Sequence, residues 1–132
     1  MGNVDLLSVI LGALAFFAVG AIWYGVLFPK QWQRAAGLSE AQLRQGNMAL
    51  IFGLAFLFEL LVALMFGHLV ARTDPSPRAM MMIAAGFGAS IMVPAIGISY
   101  LFQRRSGALF VIDAAHFILG TLAMGAVFVA LD

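Results

Sequence analysis

Glu59, Asp113 and His116 are the residues of this chain whose types and spacing could do chemistry. Glu59 is the single ionisable side chain in the twenty-residue run MALIFGLAFLFELLVALMFG, Met48–Gly67. A run of that length and polarity predicts a transmembrane helix. A carboxylate in its middle is costly, so it is expected to face a bundle interior or a wet cavity and to mark a functional site. Asp113 and His116 lie three apart in a second apolar run and so share a helix face, with Gly120 one turn beyond. From the nearer helix end, helical rise puts Glu59 about 18 Å deep, His116 about 13 Å and Asp113 about 9 Å. If the two helices touch, the three could share a proton, a water chain or a cation. The bland alternative has Glu59 as a neutral acid gluing helices together, Asp113 paired with Arg104 or Arg105, and His116 bonded to a backbone carbonyl. One histidine and two carboxylates at unfixed spacing match no closed zinc pattern, so no metal is expected.

The elements that must position these groups follow from composition. Of 132 residues, 64% are hydrophobic and 10% charged, against about 25% charged in soluble domains. A chain this short has no interior able to hide so much apolar surface. A lipid bilayer is the expected partner. The fold class is all-α, a four-helix transmembrane bundle in a single domain, residues 1–132. The spans are expected at about 6–28, 47–70, 79–102 and 107–131. LSEAQLRQG in the first loop predicts a short amphipathic interfacial helix, with Ser39 and Gln42 as a capping box and Gly46 at its end. Pro75 and Pro77 punctuate the second loop. The apolar N-terminal stretch lacks a basic flank and reads as the first span rather than a signal peptide. The Met-Gly start lacks the serine or threonine that would favour myristoylation.

Basic residues set the expected orientation. Loops one and three carry Lys30, Arg34, Arg44, Arg104 and Arg105, whereas the opposite side carries Arg72 and Arg78. The positive-inside rule then puts loops one and three in the cytoplasm and both termini outside. Trp23, Tyr24, Trp32 and Tyr100 are expected in an interfacial aromatic belt, with ligand-pocket lining as the alternative. Gly86, Ser90 and Gly97 share a face of the third span and invite close helix approach, while Pro94 predicts a kink or hinge. Placing Gly12–Phe28 over Gly86–Phe102 gives seven identities in seventeen positions. A parallel two-helix repeat, 1–70 and 79–132, would explain them, as would two similar apolar helices. Met80, Met81 and Met82 cannot all ligate one copper ion, because consecutive helical residues diverge by about 100°.

IWYGVLFPKQW, GNMALIFGLAFLFELLVAL, ISYLFQRRS and LFVIDAAHFILGTLAMG occur in this order along the chain. On these segments the chain resembles, over nearly its full length, the bacterial membrane family called domain of unknown function 1761. The resemblance implies four spans and a bacterial inner-membrane location, and it carries over no catalytic or binding residue.

The absence of cysteine excludes disulfides, thiolate metal sites and cysteine nucleophiles. A net charge of +1 without a basic stripe gives no reason to expect nucleic acid. No catalytic motif is present, so neither an enzyme activity nor a cofactor is expected. Two functional classes remain: a small transporter or channel-like protein with a proton- or cation-linked carboxylate, or a non-catalytic membrane scaffold or lipid- or partner-binding subunit whose polar groups are structural. The glycine-lined faces predict a homo-oligomer, a dimer in the simplest case. Light scattering in mild detergent and in nanodiscs should return twice the chain mass; a monomer in both media contradicts this.

Overall fold

A computed structural model describes residues 3–132; Met1 and Gly2, with the expectation about a lipidated start, lie outside the described residues. Four helices are long and apolar enough to cross a membrane: α1 Leu6–Leu27, α4 Met48–Thr73, α5 Pro77–Gln103 and α6 Gly107–Leu131. The first loop holds two short helices, α2 Pro29–Ala36 and α3 Glu40–Gln45, where the sequence predicts one. Pro29 explains the extra element, since proline suits the first turn of a helix. Gly37, at φ 72°, then ends α2 in the left-handed region that glycine tolerates best. The capping box of α3 forms as expected: Gln42 N–H donates to Ser39 Oγ at 3.1 Å, and Ser39 N–H donates to Gln42 Oε1 at 2.8 Å.

The spans begin on polar caps. Asp5, Asn47, Ser76 and Ser106 accept from first-turn amides of α1, α4, α5 and α6, satisfying donors that helix geometry orphans. A hydrogen bond from the Ser8 hydroxyl holds the Asp5 carboxyl below the usual carboxylate range. Asp74 and Arg104 end α4 and α5 in the left-handed conformation. Ser76 and Pro77 start α5 two residues before the position expected from hydropathy.

Lipid is as apolar as leucine, so packing between spans depends on small residues and polar contacts rather than on the hydrophobic effect. α1 and α6 follow this in an antiparallel, four-residue alternation. The Met124 and Phe128 side chains lie over Gly12, the Phe16 ring lies over Gly120, and the His116 imidazole lies over Gly20. One turn further, Tyr24 meets Asp113. Each large side chain thus occupies the space a glycine leaves on the facing helix. α5 packs on the other side of α6, with Ala84 against Gly125 and Gly88 against Thr121. α4 packs along α1, where Phe17 meets Phe52 and Phe56 edge-on at 6.1 and 5.9 Å. Toward the termini, α4 also reaches α6, as Phe66 and Gly67 face the Phe128 ring. Val9, Phe16, Ala63, Phe66, Met80, Met124 and Phe128 fill the shared core.

Two wide turns interrupt this regularity. The C-terminal part of α1, Trp23–Leu27, and the middle of α5, Phe87–Met92, close i→i−5 hydrogen bonds. Phe28 N–H donates to the Trp23 carbonyl at 2.9 Å, and Val93 N–H donates to Gly88. The disturbance expected at Pro94 therefore takes the form of a wide turn just before it. Pro94 itself sits in the first turn of the segment that follows, where a missing N–H costs least. Of the residues expected at a close helix approach, Gly97 lies against the Phe110 ring, Gly86 has no neighbouring atom within 4 Å of a would-be Cβ, and Ser90 and Pro94 are exposed. The tightest approach of α5 is at Gly88, whose would-be Cβ falls 2.9 Å from the Ile118 backbone. Gly88→Ala should therefore lower stability by about 1–3 kcal/mol, read as reversible unfolding in mixed micelles. Gly86→Ala, with open space and better helix propensity, should be neutral or stabilising.

Candidate functional site: a carboxylate shared by three helices

Asp113 lies two turns into α6 and is 5% exposed. Desolvating a carboxylate requires donors aimed at both oxygens. Two neighbouring spans supply them: Tyr24 of α1 donates to Oδ1 at 2.5 Å, and Tyr100 of α5 donates to Oδ2 at 2.5 Å. Each carboxyl oxygen thus accepts a hydroxyl from a different span. One residue earlier on each helix, the Trp23 indole N–H donates to the Ile112 carbonyl at 3.0 Å. The wide turn Trp23–Leu27 begins at these two aromatics.

His116 continues the site toward the core and is 8% exposed. Its ring stands 4.8 Å from Tyr24, 4.7 Å from Phe117 and 5.8 Å from Phe16. Gly20 makes the space, since a Cβ there would fall 3.1 Å from His116 Nε2. Nδ1 is buried and has no hydrogen-bond partner among the described residues. A buried polar atom left so is uncommon and calls for a water, a ligand or a proton-transfer role.

A cavity of about 230 Å³ opens between the loop-one and loop-three ends of the bundle. Trp32, Leu38, Tyr100, Gln103 and Arg105 line it, and Asp113 reaches it from below. The C-terminal end of α2 closes one side: Arg105 Nη1 donates to the Ala36 carbonyl at 3.4 Å and Ser106 Oγ to the Ala35 carbonyl at 3.3 Å. At the termini end a second cavity, about 320 Å³, is lined by Asp5, Ser8, Asp74, Phe128 and Asp132 among others. The aromatic core at Phe16, Phe66 and Phe128 is fully or almost fully buried.

Asp113 and His116 share the helix face expected of them, and no hydrogen bond joins Glu59 to either among the described residues. It occupies the α4 face that carries Phe56 and Ala63, half-buried against α1, and its Oε2 has no hydrogen-bond partner among the described residues. α6 meets α4 through Phe128, toward the termini, away from Asp113. Among the described residues no three histidine, aspartate or glutamate side chains gather as a metal site. Among the described residues Asp113 is bonded by tyrosine hydroxyls rather than by Arg104 or Arg105. The tyrosines themselves were missed as partners. Tyr24 and Tyr100, near one end of their spans, turn their hydroxyls to Asp113; Trp32 lies edge-on to Tyr24 at 5.9 Å. A signal for the Tyr24–Asp113 pairing exists in the sequence: the four-residue steps Gly12, Phe16, Gly20, Tyr24 and His116, Gly120, Met124 are complementary when run antiparallel.

Fold and site together define a multi-pass membrane protein with a buried, tyrosine-bonded carboxylate beneath a cavity. The family described as "Protein of unknown function (DUF1761)" matches over residues 7–129, and the chain belongs to it. No curated protein and no solved structure shows a significant match.

Removing either hydroxyl should weaken the three-helix contact. Tyr24→Phe and Tyr100→Phe should each cost about 1–2 kcal/mol, and their effects should not add, because both act on one carboxylate. A double-mutant cycle by unfolding in micelles checks this; additive effects would contradict a shared acceptor.

Proposed function

We propose that the protein is a small proton- or cation-linked transporter or channel-like protein of a bacterial inner membrane, with Asp113 as the linking group. The observation that carries this reading is the placement of Asp113: nearly buried, yet on the floor of a cavity that opens at one end of the bundle. Ionisable side chains inside membrane bundles concentrate along ion and proton pathways. His116, with an unsatisfied nitrogen one turn deeper, is the next group able to hold a proton or a water along that line. Glu59, also unsatisfied, is a second ionisable group on α4 whose carboxylate can take part when the bundle rearranges. The positive-inside bias supports a cytoplasmic cavity mouth, with both termini outside.

One observation favours a second reading. Both Asp113 oxygens are occupied by hydroxyls from separate spans, as suits a purely structural pin in a membrane scaffold or a partner-binding subunit. Flux and stability separate the two. In liposomes with a pH-sensitive dye inside, Asp113→Asn should keep its fold, since the amide oxygen still accepts a hydroxyl, and should lose at least tenfold of the pH-driven flux. Glu59→Gln should reduce flux to a smaller extent. Full flux through a folded Asp113→Asn protein would reject the linking role and leave the structural reading.

A further inference from the structure

The cavity above Asp113 contains two opposite charges at different depths. Asp113 forms part of the floor, nearly buried; Arg105 follows the last turn of α5, exposed at the mouth. Neither is fully used by the chain. Each carboxylate oxygen of Asp113 accepts one tyrosine hydroxyl, and a carboxylate oxygen can accept a further hydrogen bond. Of the five guanidinium N–H donors of Arg105, two are directed within the chain, Nε to Gln103 Oε1 at 3.3 Å and Nη1 to the Ala36 carbonyl at 3.4 Å. Both bonds are long, and three donors remain. Between the charges lie the rings of Trp32 and Tyr100 and the side chain of Leu38.

The geometry points to a binding site for a small zwitterion, a molecule with an ammonium group and a carboxylate or phosphate a few bonds away. This deepens the proposed function and rests on the reading of Asp113 as a working group. The ammonium takes the free lone pairs of Asp113 and faces the Tyr100 and Trp32 rings, a favourable arrangement for a cation. The anionic group takes the forked donors of Arg105, which match carboxylate and phosphate geometry. A simple anion gains Arg105 but meets the Asp113 charge below. A simple cation gains Asp113 but must pass the Arg105 charge above. Only a ligand carrying both signs satisfies both ends, and the 230 Å³ of space suits a molecule of amino-acid size. The same chemistry occurs in a free amino acid and in an ethanolamine phospholipid headgroup.

The full chain carrying Trp23→Phe, in nanodiscs of phosphatidylglycerol alone, whose headgroup has no cation, reports on the cavity through Trp32 fluorescence. The probes are glycine, L-leucine and phosphoethanolamine, with ethylammonium and acetate as single-charge comparisons. At least one zwitterion should change the emission saturably and bind at least tenfold tighter than either single-charge probe. Arg105→Gln, at an exposed position, should weaken that binding at least tenfold. Adding phosphatidylethanolamine to the nanodisc should compete if the headgroup is the natural occupant and should have no effect if a soluble zwitterion is. No response to any zwitterion, equal binding of ethylammonium or acetate, or unchanged binding in Arg105→Gln overturns the inference. Asp113-dependent flux without zwitterion binding would remove this inference alone; zwitterion binding with full flux in Asp113→Asn would remove the proposed transport role alone.

Discussion

The hydrogen bonds from Tyr24 and Tyr100 to Asp113 are the contact on which the rest of this bundle depends. A carboxylate two turns inside a membrane helix and only 5% exposed meets little water, so its burial depends on donors from the protein. Here they come from two different spans, so a single side chain fixes α1 and α5 on either side of α6. In lipid, where apolar contact gives little net drive for helix association, such a contact sets rotation as well as adhesion. Tyr24 can reach Asp113 only in the helix rotation that also seats Phe16 over Gly120 and His116 over Gly20. Trp23 adds a second bond beside it, from its indole N–H to the Ile112 carbonyl of α6.

Polar contact on one side of the bundle contrasts with apolar packing on the other. α4 lies along α1 through aromatic edges and places Ala63 and Phe66 in the shared core. Its carboxylate, Glu59, remains without a partner while the α6 carboxylate has two. Side-chain hydrogen bonds thus tie α1, α5 and α6 together, whereas α4 is held to them by packing among the described residues. The two cavities open at opposite ends with a tight aromatic core in the bundle between them.

Much of the architecture was legible in the sequence. Four apolar runs gave four spans, and Ser39 with Gln42 gave the start of α3, because hydropathy and capping are local properties. Asp113 and His116 on one face followed from helical spacing alone. Their partners did not, because pairing between spans depends on rotation, and every face of an apolar helix looks alike to a hydropathy reading. Proximity in depth suggested Glu59 as the companion of His116; the structure instead gives His116 the Tyr24 ring. Tyr24 and Tyr100 were hidden by their position, since a tyrosine at the membrane boundary has a ready interfacial explanation. The alternation of glycines and large residues along α1 and α6 is the part of the sequence that encodes the missing rotation.

The central claim is that Asp113 is a working ionisable group and not only a clasp. Infrared difference spectra of the protein in nanodiscs, taken between acidic and alkaline bath, test it most directly. The account predicts a carboxyl-to-carboxylate difference band that disappears in Asp113→Asn while the amide bands stay unchanged. A wild-type spectrum with no carboxyl band attributable to Asp113 across the whole pH range in which the protein stays folded would contradict it.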